Sequence, residues 1–291
     1  MQAPCDRGML AIWPRASVGG EYGMDEFTRR PSGKFSDANV SIVEFESKRI
    51  VGVNFFAEVD LSRIEAYRRD PANESGGRRV PYTAFVVKAT ARALREFPYA
   101  NARLFPRFPK FLLGTSTVRF TRADMAVAVE RSQPGMEGTA FCDILRSADE
   151  RSLGEISDWL QVLSQATPEN NQQWREFSRT IERLPRWLAS LAIRMPCFLP
   201  SYWVKYRGGA AVVSSPAKYG VDAIGATWVW PVGVSFGLVK DRAVVRDGQI
   251  VACPTFMLTM SFDRRLMAGA QAAHFFRRIV DPLESPENEL A

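Results

Sequence analysis

The chain has 291 residues, of which 46% are hydrophobic and 24% charged, with a formal net charge of +6. That is ordinary globular composition, long enough to bury a sizeable core as one large domain or two small ones. The modest positive charge suits acidic ligands or an anionic membrane surface. With no Lys/Arg block of about five or more, it argues against a nucleic-acid partner.

Four cysteines, Cys5, Cys142, Cys197 and Cys253, stand far apart with no C-x-x-C pair. Neither a zinc site nor a dithiol redox motif is indicated, and reduced thiols in a cytoplasmic protein are the expectation. Asp6 and Arg7 interrupt any apolar signal core at the N-terminus. No apolar run reaches the roughly 18 residues that a membrane span needs.

Residues 1–34 are rich in Gly, Pro and Arg and show no period, which reads as an N-terminal arm or tail. Ile50–Asp60 reads as a strand, and Asp60 or Ser62 caps a short helix through Arg69. Residues 71–79 form a polar loop. Pro81–Phe97 has helical spacing, with Phe85, Val86, Ala89, Ala93, Leu94 and Phe97 on one face. Strands are expected at Thr115–Thr121, Met125–Glu130 and Thr139–Leu145, with a turn at 135–138 before the last. Ser152–Ala166 follows as a helix.

Residues 169–206 interrupt this order. Phe177, Ile181, Leu184, Leu188, Leu191 and Met195 have helical spacing, and Pro185, Pro196 and Pro200 divide the segment into short pieces. It reads as a helical elaboration outside the common core. Two roles stay open for it: packing on its own small core, or a lid or surface that touches a membrane or a protein partner. Gly208–Ser215 and Val229–Val239 are β-rich, and Asp247-Gly248 marks a hairpin turn.

The chain is organised around Thr259-Met260-Ser261-Phe262-Asp263-Arg264-Arg265-Leu266-Met267-Ala268-Gly269-Ala270. It reads as the end of a buried strand from Ile250 to Phe262, a polar turn, and a helix whose stripe is Ala273, Phe276, Ile279 and Val280. Such strand-to-helix turns often carry function.

This stretch resembles the signature of the dihydrolipoamide acyltransferase cores of 2-oxo acid dehydrogenase complexes and of the related chloramphenicol acetyltransferases. That signature reads S-F-D-H-R, two apolar residues, then D-G-A. Ser261, Phe262, Asp263, Arg265, Gly269 and Ala270 match it. Arg264 stands where the family has its general-base His, and Ala268 where it has the supporting Asp. Other fragments fall in family order: Glu58-Val59-Asp60, Glu96-Phe97-Pro98, Asn101-Ala102 and Ser152-Leu153-Gly154-Glu155-Ile156. The run from Ala210 to Gly220 is similar to T-F-T-I-S-N-L-G-x-x-G. It places Ser214 on the family Ser that binds the oxyanion and Ser215 on the following Asn.

The resemblance implies an α/β fold, a chloramphenicol acetyltransferase-like mixed sheet flanked by helices with a helical insertion, over residues 35–291. It implies a homotrimer with its channel between subunits, CoA or acyl-CoA as a substrate rather than a bound cofactor, and a small-molecule or acyl-carrier partner. No lipoyl-domain pattern precedes the core, which reads as a divergent stand-alone member. Ser214 and Arg264 are the candidate catalytic residues, with Ser215, Arg265 and Asp263 as substrate-binding candidates; no metal site is expected.

Arg cannot act as a base, because its guanidinium stays protonated and has no acceptor. Arg264 either clamps a carboxylate or phosphate beside Arg265, or pairs with an acid and plugs the channel. His274, the one histidine of the chain, reads as an ordinary helix residue rather than a relocated base. Two functions stay open: an acyltransferase with a rebuilt site, and a catalytically inactive trimeric scaffold or ligand-binding pseudoenzyme.

Overall fold

Strand β9 (Gln249–Asp263) is the spine of the molecule, and the other strands are placed by their pairing to it. The computed structural model describes residues 33–107, 113–133, 136–288 and 290. The expected arm therefore lies outside the described residues, apart from Gly33 and Lys34. Lys34 already opens a helix, α1 (Lys34–Ser47), for which no element was expected. Strand β1 (Gly52–Asp60) runs antiparallel to β9 from Gly52 opposite Asp263 to Asp60 opposite Thr255. On its other side β9 pairs with β7 (Val232–Phe236), and its first half pairs with β8 (Lys240–Arg246).

The sheet continues through β6 (Ala211–Ser214) and β4 (Met125–Gln133) to β5 (Met136–Leu145), in the order β1-β9-β7-β6-β4-β5. β6 is parallel to both β4 and β7, while the other pairs are antiparallel, so the sheet is mixed. β5 begins at Met136, inside the span expected as a turn. A separate two-stranded ribbon joins β2 (Ala102–Pro106) to β3 (Thr115–Arg119).

Local chemistry explains the joints. Asp247 and Gly248 take φ of 50° and 77°, the left-handed pair that a two-residue hairpin requires. Helix α2 (Ser62–Arg69) opens with the Asp60 carboxylate accepting from the Ser62 N–H at 2.9 Å. Helix α3 (Tyr82–Glu96) starts directly after Pro81. Helix α4 (Leu153–Ser164) has a reciprocal cap: Ser152 Oγ accepts from the Glu155 N–H, and the Glu155 carboxylate accepts from the Ser152 N–H.

The two faces of the sheet bury different things. On one face α2, α3, α4 and α8 (Gly269–Glu284) cover Val59, Val213, Val234, Phe256, Leu258, Met260 and Phe262 in a continuous apolar core. Truncating a side chain such as Phe256 costs about 3–5 kcal/mol. Helix α3 is buried nearly all round rather than along one face, because it lies among the sheet, α4 and α8. Even Lys88 is buried, its ammonium donating to the Asp149 carbonyl at 2.9 Å. The buried stripe of α8 holds the expected Phe276, Ile279 and Val280 together with Ala272, Phe275 and Leu283, while the expected Ala273 is exposed. Alanine is too small to set the phase of a helix; the phenylalanines set it.

The other face is covered by α1, α6 (Arg186–Arg194) and α7 (Pro200–Arg207), while α5 (Gln172–Arg183) lies against the edge strand β5 through Trp174 and Phe141. The segment 169–206 thus forms short helices, as the prolines predict, but its stripe is not continuous. Leu191 and Met195 are exposed, and Ala189 is buried instead. Pro185 and Pro196 interrupt the helix and reset its phase. The end of the segment is not an appendage either. Trp203 has no exposed surface, packs with Ala126 and Val212 of the sheet, and donates its indole N–H to the Gly209 carbonyl at 3.0 Å.

Candidate active site

The candidate residues occupy two strand ends on the same face of the sheet. Alternation along β6 puts Val213 in the α3 core, so Ser214 points to the opposite face. Its hydroxyl has no hydrogen-bond partner among the described residues, and the residue is half-buried. Ser214 lies level with Ser235 on β7, and Ser235 lies level with Thr259 on β9. The Ser235 and Thr259 hydroxyls are buried and unpartnered, so the three form a polar row across the sheet. The chain before β7 lies close over this face: a Cβ at Gly233 would fall 1.8 Å from the Trp228 ring.

The other half is the turn after β9. Asp263 is buried, and its carboxylate accepts from the Arg265 N–H at 3.1 Å and from Arg265 Nε at 2.9 Å. A further Arg265 bond at 2.5 Å completes a two-pronged ion pair. That bonding raises the Arg265 pKa above its ordinary value. Met267 is buried beneath the turn, and the Arg264 N–H donates to the Val51 carbonyl at 2.9 Å, which fixes the turn to the start of β1. The Arg264 side chain is exposed and has no partner among the described residues. Among the described residues it therefore closes no internal ion pair. Ala268 caps α8 through its backbone, its N–H donating to the Gln271 side chain at 3.1 Å.

One chain does not bring the halves together. Asp263 lies four residues along β9 from Thr259, about 13 Å at the usual strand rise. Arg264 is further still from the Ser214 row. Ser215, a substrate-binding candidate, has its hydroxyl engaged within the chain. Its hydroxyl donates to the Phe236 carbonyl at 2.9 Å and accepts from the Ala217 N–H, which ties the turn after β6 to β7. His274 is exposed on α8, the helix that covers the opposite face of the sheet, and is not part of either half.

A small cleft opens beside the turn, lined by Glu46, Arg49, Arg103, Cys197, Asp263 and Arg265 among others. Arg103 and Glu46 form a buried ion pair at 3.0 Å, and the Arg103 guanidinium lies 3.7 Å from the Trp203 ring centroid. Burial lowers the Arg103 pKa, against the pull of Glu46. Burial also pushes the Cys197 thiol up to about 12, reinforced by the Glu46 charge. The thiol is therefore inert, not a nucleophile.

Beside Ser214 the structure adds a cluster that the sequence reading missed. Lys218 and Tyr219, just past β6, both bond the Glu130 carboxylate. These bonds lower the Glu130 pKa. The partners are 88 and 89 residues apart, and only the β4–β6 pairing makes them neighbours. No local sequence signal marks them. Among the described residues, no group of three or more His, Cys, Asp or Glu could hold a metal ion.

Chemically, the arrangement supplies a hydroxyl donor at one strand end and, at the other, a cation with no partner among the described residues.

A family model shows the family, and relatives and solved structures are similar to the chain. The model of the 2-oxoacid dehydrogenases acyltransferase (catalytic domain) matches residues 28–181 and 205–291 and leaves 182–204 outside. The dihydrolipoyllysine-residue succinyltransferase component of the 2-oxoglutarate dehydrogenase complex from Bartonella vinsonii is 27% identical over 80% of this chain and 47% of its own length. The acetyltransferase component of the pyruvate dehydrogenase complex from Bacillus subtilis is 22% identical over 81% of this chain and 45% of its own length. The chain therefore spans about half the length of the curated relatives it matches. Among solved structures, the dihydrolipoamide acetyltransferase of Azotobacter vinelandii, studied for the roles of a serine, a histidine and an asparagine in catalysis, has a TM-score of 0.68. It shares 19% identity over 91% of this chain and 95% of its own. The probable dihydrolipoamide acetyltransferase of Listeria monocytogenes has a TM-score of 0.66 at 18% identity over 89% and 95%. The chain belongs to the 2-oxoacid dehydrogenase acyltransferase catalytic-domain family.

Proposed function

We propose that this chain is an acyltransferase core whose site is completed between subunits of a homotrimer. It would take an acyl group from CoA or a carrier thioester to a small-molecule hydroxyl or amine. The observation that carries this reading is the separation of the halves. Among the described residues the Ser214 hydroxyl and the Arg264 guanidinium have no partner, yet the register keeps them more than about 13 Å apart in one chain. A neighbouring chain that presents its turn to Ser214 would join them.

In this reading Ser214 donates to the oxyanion that forms as the thioester carbonyl is attacked. Arg264 attracts negative charge on the donor, and the Asp263–Arg265 pair holds the turn rigid. The acceptor gives its proton to solvent or to the departing thiolate, since Arg264 has no acceptor site. A thiol acceptor, with a free pKa near 8.5, must also lose its proton, and Arg264 cannot receive it. Wild type is therefore expected to be silent or very slow with acetyl-CoA and dihydrolipoamide.

A second reading, a trimeric pseudoenzyme that binds ligands without turnover, is favoured by Arg264, by Ala268 and by the structural use of the Ser215 hydroxyl. The test is thioesterase and transfer activity of the full chain with acyl-CoA and a panel of hydroxyl and amine acceptors. Acceptor-dependent release of CoA that falls on Ser214→Ala supports transfer. Acyl-CoA binding with no release under any acceptor supports the pseudoenzyme.

A further inference from the structure

The segment that the family model leaves unmatched, 182–204, exposes several large apolar side chains. On α6, Trp187 is 71% and Leu191 55% exposed, one helical turn apart on the side opposite the buried Ala189. Leu199, Tyr202 and Tyr206 follow at 43%, 38% and 37%, the two tyrosine rings 6.1 Å apart and the Lys205 ammonium 4.8 Å from the Tyr206 ring centroid. Both helices turn their buried residues, Ala189 and Trp203, toward the layer over the sheet. Their exposed residues therefore lie on the outer side of that layer.

The charge of this stretch is one-sided. From Arg183 to Val221 there is no Asp or Glu, while Arg183, Arg186, Arg194, Lys205 and Arg207 all fall within 183–207. Arg186 reaches back to Asp37 on α1 and Arg194 to the Ser41 hydroxyl, so part of the cationic surface is anchored to the fold.

We infer that the outer side of α6 and α7 docks on an anionic lipid surface. Trp187 and Leu191 enter the boundary between headgroups and acyl chains, the tyrosines lie at headgroup level, and the exposed Arg183 and Lys205 meet lipid phosphates. Charge complementarity selects this occupant. A solvated helix face needs no tryptophan and leucine at these exposures, and a protein partner of ordinary composition would not call for a segment free of acid. Aromatic residues with flanking Lys and Arg are the residue set of membrane interfaces. The inference is independent of whether the acyltransferase site turns over.

The test is co-sedimentation of the full chain with vesicles of phosphatidylcholine alone and of phosphatidylcholine mixed with phosphatidylserine. Binding is expected only to the anionic vesicles and is expected to fall with added salt. The double substitution Trp187→Ser with Leu191→Ser removes exposed side chains and leaves the fold intact; it is expected to weaken binding by tenfold or more. Arg183→Gln is expected to weaken it about fivefold. A chain that stays in the supernatant with anionic vesicles overturns the inference. So does binding that is indifferent to the Trp187/Leu191 pair, or a fall in oligomer mass on Trp187→Ser without vesicle binding, which would make the patch a contact between copies.

Discussion

The end of β6 and the end of β9 are both strand-to-turn junctions on one face of the sheet, yet they have diverged in opposite ways. At β6 the turn has changed: Pro216 and Ala217 follow the strand, and the Ser215 hydroxyl is tied to β7. The hydroxyl of Ser214 nevertheless stays uncommitted. At β9 the turn is built to stay: Asp263 is buried against Arg265, Met267 is buried, and the backbone is fixed to Val51. The residues at its solvent side, Arg264 and Ala268, are the two that depart from the signature. The residues that hold a turn face inward and are fixed by packing and ion pairing. The residues that do its chemistry face outward and can be exchanged at little structural cost.

The strongest way to break this contrast is to refit the β9 turn. Arg264→His with Ala268→Asp touches no buried side chain and is expected to raise transfer from acetyl-CoA to a thiol acceptor by about 10²- to 10⁴-fold, the usual effect of a positioned base. That is roughly 2.7–5.5 kcal/mol of barrier. A pH profile near neutrality should appear with it. A folded, restored variant that stays silent would show that the outward residues are not the whole difference.

On the β6 side, Ser214→Ala is expected to lower whatever transfer is measured by about 10²-fold, the effect of removing one oxyanion donor. Ser215→Ala is expected to lower stability instead, by about 1 kcal/mol for a lost hydrogen bond, with kcat little changed. Equal kinetic losses from both would erase the distinction between donor and tie.

Asp263→Ala tests the inward side. It strips the partner from Arg265, whose side chain is 40% exposed and so can recover part of its solvation. The expected cost is about 1–3 kcal/mol, read as a lower Tm.

The smallest effect belongs to Cys197. Its folded-state pKa is raised to about 12 from an ordinary 9.0. Above pH 9 the unfolded chain releases this proton while the folded chain keeps it, so the group's contribution to stability is intact below pH 9 and declines toward pH 12. Alkylation of Cys197 at pH 8–9 is expected only after unfolding; rapid modification of the folded protein would place the thiol outside the buried cluster.

Much of this was legible in the sequence. The apolar run of β9, the Asp247-Gly248 hairpin and the Ser152/Glu155 cap are local patterns, and each formed as its chemistry dictates. The matched turn fixed the family because its scaffold residues are contiguous. What stayed hidden is what depends on sheet order. Trp203 reads like any aromatic in a proline-broken segment, and only the sheet's second face gives it a partner. The Glu130–Lys218–Tyr219 cluster exists because β4 and β6 are parallel neighbours. The Ser215 tie to Phe236 needs the β6–β7 pairing. The 13 Å offset between the half-sites is likewise a property of register, which no motif carries.

That offset allows a test that needs no turnover. Ser214→Cys and Arg264→Cys, combined in one chain with Cys5→Ser, place two thiols too far apart for a short bis-maleimide to bridge within a subunit. If the site is completed between chains, the reagent produces covalent dimers and trimers on a denaturing gel. Either single-cysteine variant gives only the 32.6 kDa chain. A double variant that also runs solely at 32.6 kDa after full maleimide modification would contradict the shared site.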